Sequence, residues 1–160
     1  MPANPKPVND RLNNLGTFSE KSGFPASDPT RINMHMHTSL SFNAFNWSPS
    51  DIAFQARKMG FHAAGIIDFD VLDGLHEFIK ASEILELRST VGIETRTFND
   101  LYSGKEIDSP GEPGISYISG TGLINIPEGS DGDFLHMLKS TAKKQTAKAS
   151  YAKTGVGKLD

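Results

Sequence analysis

Between Arg31 and Glu94 the sequence switches regularly between two hydrophobic periods, and this alternation constrains the fold more than any other feature. Ile32, Met34 and Met36 alternate with Asn33, His35 and His37, the period of a half-buried strand, so both histidines share one face. Ser48-Pro49-Ser50-Asp51 then carries a helix start, with Ser48 as cap, Pro49 in the first turn and Asp51 at the capping-box position. Ile52, Ala53, Ala56 and Met59 recur at helical spacing, and Gly60 is the stop. Ala63 to Ile67 is a short apolar run ending in Asp68, which is the pattern of a strand buried on both faces. Asp73 is the expected cap of a second helix whose stripe is Leu75, Phe78, Ile79, Ser82 and Leu85, and a third strand follows at about Thr90 to Ile93, ending at Glu94. Strand, helix, strand, helix, strand is the rhythm of β/α crossover units, so the expected fold class is α/β with a parallel sheet or barrel.

Outside this span the signal is weaker. Residues 1–29, with Pro2, Pro5 and Pro7 among polar neighbours, read as a flexible leader, leaving 30–160 as the domain. Ser109-Pro-Gly-Glu-Pro-Gly114 marks turns, Ile115 to Ile118 a short strand, and Ser130 or Asp131 the cap of a last helix reaching about Tyr151. That helix places Phe134, Leu135, Leu138 and Ala142 on its apolar side. Only three or four β/α units are present where a complete barrel takes eight, so the expectation is the N-terminal portion of a barrel, with strand edges and helix faces uncovered.

Composition narrows the chemistry. Sixteen Lys and Arg against nineteen Asp and Glu give a net charge of -3, which is not the footprint of a protein that tracks a phosphate backbone. The lysine group Lys139, Lys143, Lys144, Lys148 and Lys153 reads as a solvated helix face. No run of about 18 apolar residues and no signal-peptide pattern occurs, so a cytoplasmic protein without a membrane segment is the expectation. Without cysteine, His, Asp and Glu are the strong metal-ligand types available.

The three strand ends carry His35 and His37, then Asp68 with Asp70, then Glu94. In parallel β/α folds such ends converge, and imidazole nitrogen with carboxylate oxygen suits Zn, Mn or Fe; three or four such ligands with an open position activate water. Each motif alone has an ordinary reading: two polar residues on a wet face is as good a reading as a ligand pair for His35 and His37, and a loop-starting aspartate and a surface glutamate are the better readings of Asp68 and Glu94 taken singly. His62 and His136 read as hydrogen-bonded histidines and not ligands. Phe42, Phe45 and Trp47 read as loop packing, with a pocket lining as the alternative.

Taken together the motifs resemble the PHP domain, the family named for bacterial polymerases and histidinol phosphatases. His35-Met-His37-Thr38-Ser39 is similar to its first motif, Ile66-Ile67-Asp68-Phe69-Asp70 with Leu72-Asp73-Gly74 to its second, and Gly92-Ile93-Glu94 to its third. The resemblance implies a distorted TIM-like (β/α)7 barrel, a cluster of two or three divalent metals (Zn, Mn or Fe), and hydrolysis of a small phosphorylated substrate by a metal-activated water. It assigns His35, His37, Asp68 and Glu94 as metal ligands. Independently of the resemblance, Asp70, Asp73 and His76 are nearby candidates to substitute for a missing ligand, and Arg96, two residues after Glu94, reads equally as a phosphate contact or as an ordinary surface arginine. The family's second motif reads Asp-His where this chain has Asp68-Phe69, and a phenyl ring cannot ligate. Two further readings stay open: a degenerate PHP domain with a structural or partner-binding role, and a Zn-dependent amidohydrolase, which also places His-x-His on its first strand.

Overall fold

The structure, a computed structural model, describes residues 7–21, 23–41 and 46–140. Its elements in chain order are α1 (Val8–Lys21), β1 (Asp28–Met36), α2 (Pro49–Lys58), β2 (Phe61–Phe69), α3 (Leu75–Ile84), β3 (Arg88–Phe98), a 3-10 turn (Asp100–Tyr102) and β4 (Ile115–Thr121). Residues 129–140 are again helical. The strands form one mixed sheet in the order β1-β2-β3-β4, in which β1, β2 and β3 run parallel and β4 antiparallel to β3. This is a four-stranded half barrel. The Ser48 cap is present with both arms of its capping box, and Gly60, at φ 74°, ends the helix turn as expected.

One layer of helices covers one face of the sheet. Leu15 of α1, Ile52 and Ala56 of α2, Leu75, Phe78 and Ala81 of α3 and Ile66 and Val91 of the sheet form the core. Phe78 and Leu75 are fully buried, each stabilising by about 2 kcal/mol. Glu77 sits among them and is fully partnered. Arg11 of α1 donates to both of its oxygens, and the backbone and hydroxyl of Ser50, at the start of α2, donate to Oε1 at 3.2 and 2.5 Å.

Four expectations change. The leader contains α1: Leu12 and Leu15 lie at helical spacing and pack on the core, and Arg11 anchors the helix to Glu77, long-range contacts that three nearby asparagines disguise in the sequence. The sheet is not wholly parallel, because the turn-rich segment after β3 folds back as a hairpin; β3 continues past Glu94 to Phe98 by pairing with β4. Asp73 does not cap α3, whose N-cap is Gly74; its carboxylate instead pairs with Lys139 of the last helical segment at 2.5 Å. Phe134, expected on the apolar side of that segment, is exposed, while Leu135 packs on the core. The remainder of that expected helix, including Ala142, Lys143, Lys144, Lys148 and Tyr151, lies outside the described residues, as do Phe42 and Phe45. Trp47 is about half exposed. No helix among the described residues is long and apolar enough to cross a membrane.

Candidate metal centre

Register decides which side chains meet. Met36 pairs with Ile66 and packs on the helix-covered core, so its neighbours His35 and His37 face the other way. Phe69 pairs with Glu94, and Glu94 with Ser119, placing these three side by side on that same face, which is open in the sense that no helix among the described residues covers it. Gly92, next before Glu94 on this face, has no room for a side chain, since a Cβ there would meet the Gly120 carbonyl oxygen.

His35, His37 and Glu94 thereby come together, with one donor atom from each lying within 4.8 Å of the others. Glu94 Oε2 is 3.3 Å from His35 Nε2 and 3.7 Å from His37 Nε2. Metal–ligand bonds of about 2.0–2.2 Å in tetrahedral geometry put ligand atoms roughly 3.3–3.6 Å apart, so the His35 edge of the triangle has that length and the His37 edge is slightly longer. Two imidazoles and one carboxylate form a three-donor set with a fourth direction left for water or substrate.

Neighbouring groups surround these three side chains. Ser119 donates its hydroxyl to Glu94 Oε1 at 3.2 Å, leaving Oε2 to the imidazoles. The Ser41 hydroxyl lies 3.4 Å from His37 Nδ1, and the His35 backbone N–H donates to Asn33 Oδ1. Phe69 stacks face to face on His37, with ring centroids 4.8 Å apart and planes within 10°, and meets Tyr117 edge-on at 5.6 Å. Burial pushes the His37 imidazole below its ordinary range, helped by the neighbouring His35 and opposed by Glu94. Its ring therefore stays neutral near pH 7, the form that can ligate.

The remaining candidates fall elsewhere. Asp68 projects toward the helix-covered side, beside Ile93, and both its oxygens accept from Thr38, the backbone N–H and the hydroxyl each at 2.6 Å. Burial raises its pKa, partly offset by those two bonds. It holds the turn after His37 and is outside the three-donor group. Asp70, in a left-handed conformation at φ 59°, accepts from the Thr95 hydroxyl at 2.6 Å. Asp73 pairs with Lys139, and His76 is exposed on α3. His62 bonds Ser27 and Arg88, whereas His136 is exposed. Arg96 meets Glu112 at 2.8 Å.

Sequence reasoning missed Thr38, Ser41, Ser119 and Tyr117 as supports. Thr38 and Ser41 follow the His-x-His motif closely and were within reach of a local reading. Ser119 and Tyr117 were not, because only the antiparallel register brings them to Glu94 and Phe69.

No family model matches the chain, and no curated protein matches it. Among solved structures it is similar to a candidate metal-dependent phosphoesterase from Bifidobacterium adolescentis, with 32% identity over 45% of this chain and a TM-score of 0.41. The matched region spans 25% of that structure's chain.

Proposed function

We propose that the chain works as a metal-dependent phosphoesterase of PHP type, in which His35, His37 and Glu94 hold a divalent ion. The observation that carries this reading is the convergence of two imidazole nitrogens on one carboxylate oxygen at 3.3 and 3.7 Å, on the open face of the sheet. Zn, Mn and Fe all suit this donor set. When bound, such an ion would lower the pKa of water and polarise a phosphoryl oxygen. The chain's own work is to keep the site poised: His37 stays neutral through burial, Glu94 is aimed by Ser119, and the Phe69 ring fixes the plane of His37. The substrate class is a small phosphorylated molecule. Metal analysis of the full chain after purification, followed by a panel of phosphomonoesters and nucleotides, tests the proposal. Bound transition metal with hydrolysis of at least one phosphomonoester is expected; absence of both overturns it.

A second reading has its own observation. Phe69 occupies the position where the resembled motif carries a ligand, and its ring packs flat on His37, which favours a domain that binds metal without turnover. Phe69→His separates the two. Hydrolysis gained only in the variant supports the non-catalytic reading, whereas a wild type that already turns over excludes it.

A further inference from the structure

The open face continues beyond the three-donor group. Arg96 lies two residues along β3 from Glu94, hence on the same face and roughly 7 Å away along the strand. Opposite it in register is Tyr117, whose ring meets Phe69 and so connects with the stack on His37. Arg96 and Tyr117 aim at one carboxylate, that of Glu112. Arg96 Nη1 donates to Oε1 at 2.8 Å, and the Tyr117 hydroxyl donates to Oε2 at 3.2 Å. A third donor, the Ser109 hydroxyl at 2.5 Å, belongs to the same turn as Glu112. That turn closes with the Glu112 N–H on the Ser109 carbonyl and contains Gly111 at φ 79°. If the turn shifts, Ser109 and Glu112 leave together, while Arg96 and Tyr117 stay on the sheet.

A guanidinium and a phenol converging on two oxygens of one anion is a donor set that phosphate satisfies as well as carboxylate. We infer that Arg96 and Tyr117 form an anion subsite for the substrate's terminal phosphate, and that Glu112 is its resting occupant, displaced when that phosphate binds. The inference deepens the phosphoesterase reading and rests on it for the phosphate's identity. It commits to a monoester, because Arg96 adds a second positive centre beside the metal group and a phosphomonoester dianion brings two negative charges. Glu112 is held ionised in this position, chiefly by the Ser109 hydroxyl and then by the Arg96 charge, so at neutral pH it competes as an anion.

The test is calorimetric titration of the full chain with inorganic phosphate, metal-free and metal-loaded. The proteins compared are wild type, Glu112→Gln, Arg96→Gln and the double variant. Gln at 112 keeps an oxygen for Ser109 and Tyr117 but removes the competing charge. Phosphate is expected to bind Glu112→Gln about fivefold tighter than wild type, the scale of one partly exposed ion pair. That gain should vanish in the double variant, and Tyr117→Phe should weaken phosphate binding in the Glu112→Gln background. Unchanged or weaker binding by Glu112→Gln, or a gain that survives loss of Arg96, overturns the inference. The metal-free arm keeps the two proposals apart. A gain there without hydrolysis by any loaded form leaves the subsite standing and removes the phosphoesterase reading. Hydrolysis by wild type with the same KM in Glu112→Gln does the reverse.

Discussion

Two glutamates of nearly equal burial, Glu77 at 7% exposure and Glu94 at 8%, lie on opposite sides of the sheet and have different partners. Glu77, under the helices, receives two bonds from Arg11 and two from Ser50, three of them on Oε1 and one on Oε2. Glu94, on the open face, receives one hydroxyl and faces two imidazoles with its other oxygen. Burial alone does not distinguish a carboxylate that fastens helices from one that can hold a metal; the chemistry of the partners does. Cationic and hydroxyl donors surround Glu77, whereas the imidazoles beside Glu94 are groups that, in the neutral form, could share a metal with it.

The widest separation is expected from alanine at each position. Glu77→Ala strands the Arg11 charge against the helical layer and removes the tie between α1, α2 and α3, so unfolding free energy should fall by about 3 kcal/mol in urea titration. Glu94→Ala should change metal-free stability by about 1 kcal/mol or less. Its metal affinity, by contrast, should fall by more than about a hundredfold, beyond the range seen for outer-shell partners. If both variants lose the same stability and neither loses metal affinity, the contrast between the two glutamates fails.

Acid should separate the two regions next. Burial pushes the Glu77 carboxyl up, but the Arg11 and Ser50 hydrogen bonds and the Arg11 charge outweigh it and hold the pKa below the ordinary value. A carboxyl depressed in the folded state contributes stability that is present above its unfolded pKa and lost as pH falls through its folded one. The Glu77 cluster should therefore give way only below about pH 4. His37 is also depressed, and for a base this means the unfolded state binds the proton more readily. Stability should decline from about pH 6.5 downward until the folded pKa is passed, and metal should be released over the lower part of that range. Metal titrations and melts stepped from pH 7 to 3 should show two events, metal loss first. Glu77→Ala should weaken the second event and leave the first in place.

Much of this arrangement was legible in the sequence because it depends on local periodicity. The His35/His37 alternation, the Ser48 capping box, the Gly60 stop and the buried β2 run all appear as expected, since each is set by residues within a few positions of one another. What escaped depends on distant contacts. The helix at Val8–Lys21 is held by Leu15 in the core and by Arg11 on Glu77, 66 positions away. Asp68 stands at a strand end as expected, and the contacts it makes there were not legible: strand alternation turns it to the face opposite Phe69 and Glu94, where both its oxygens accept from Thr38. The hairpin that extends β3 and supplies Ser119 and Tyr117 follows a turn-rich stretch whose length and polarity conceal an antiparallel pairing.

The smallest expected effect concerns that hairpin's hold on the site. Ser119 lies on exposed β4, and its hydroxyl donates to Glu94 Oε1, so it contributes little to the core and acts by fixing which carboxylate oxygen faces His35 and His37. Ser119→Ala should leave the melting temperature within the scatter of a surface substitution, yet lower metal affinity by about tenfold, the lower end for loss of an outer-shell partner. Ser119→Thr keeps the hydroxyl and suits a strand, so it should restore affinity. Unchanged affinity in Ser119→Ala would mean that sheet register alone aims Glu94. The difference from Glu77 would then lie in what each carboxylate faces, with no added contribution from the hydroxyl behind it.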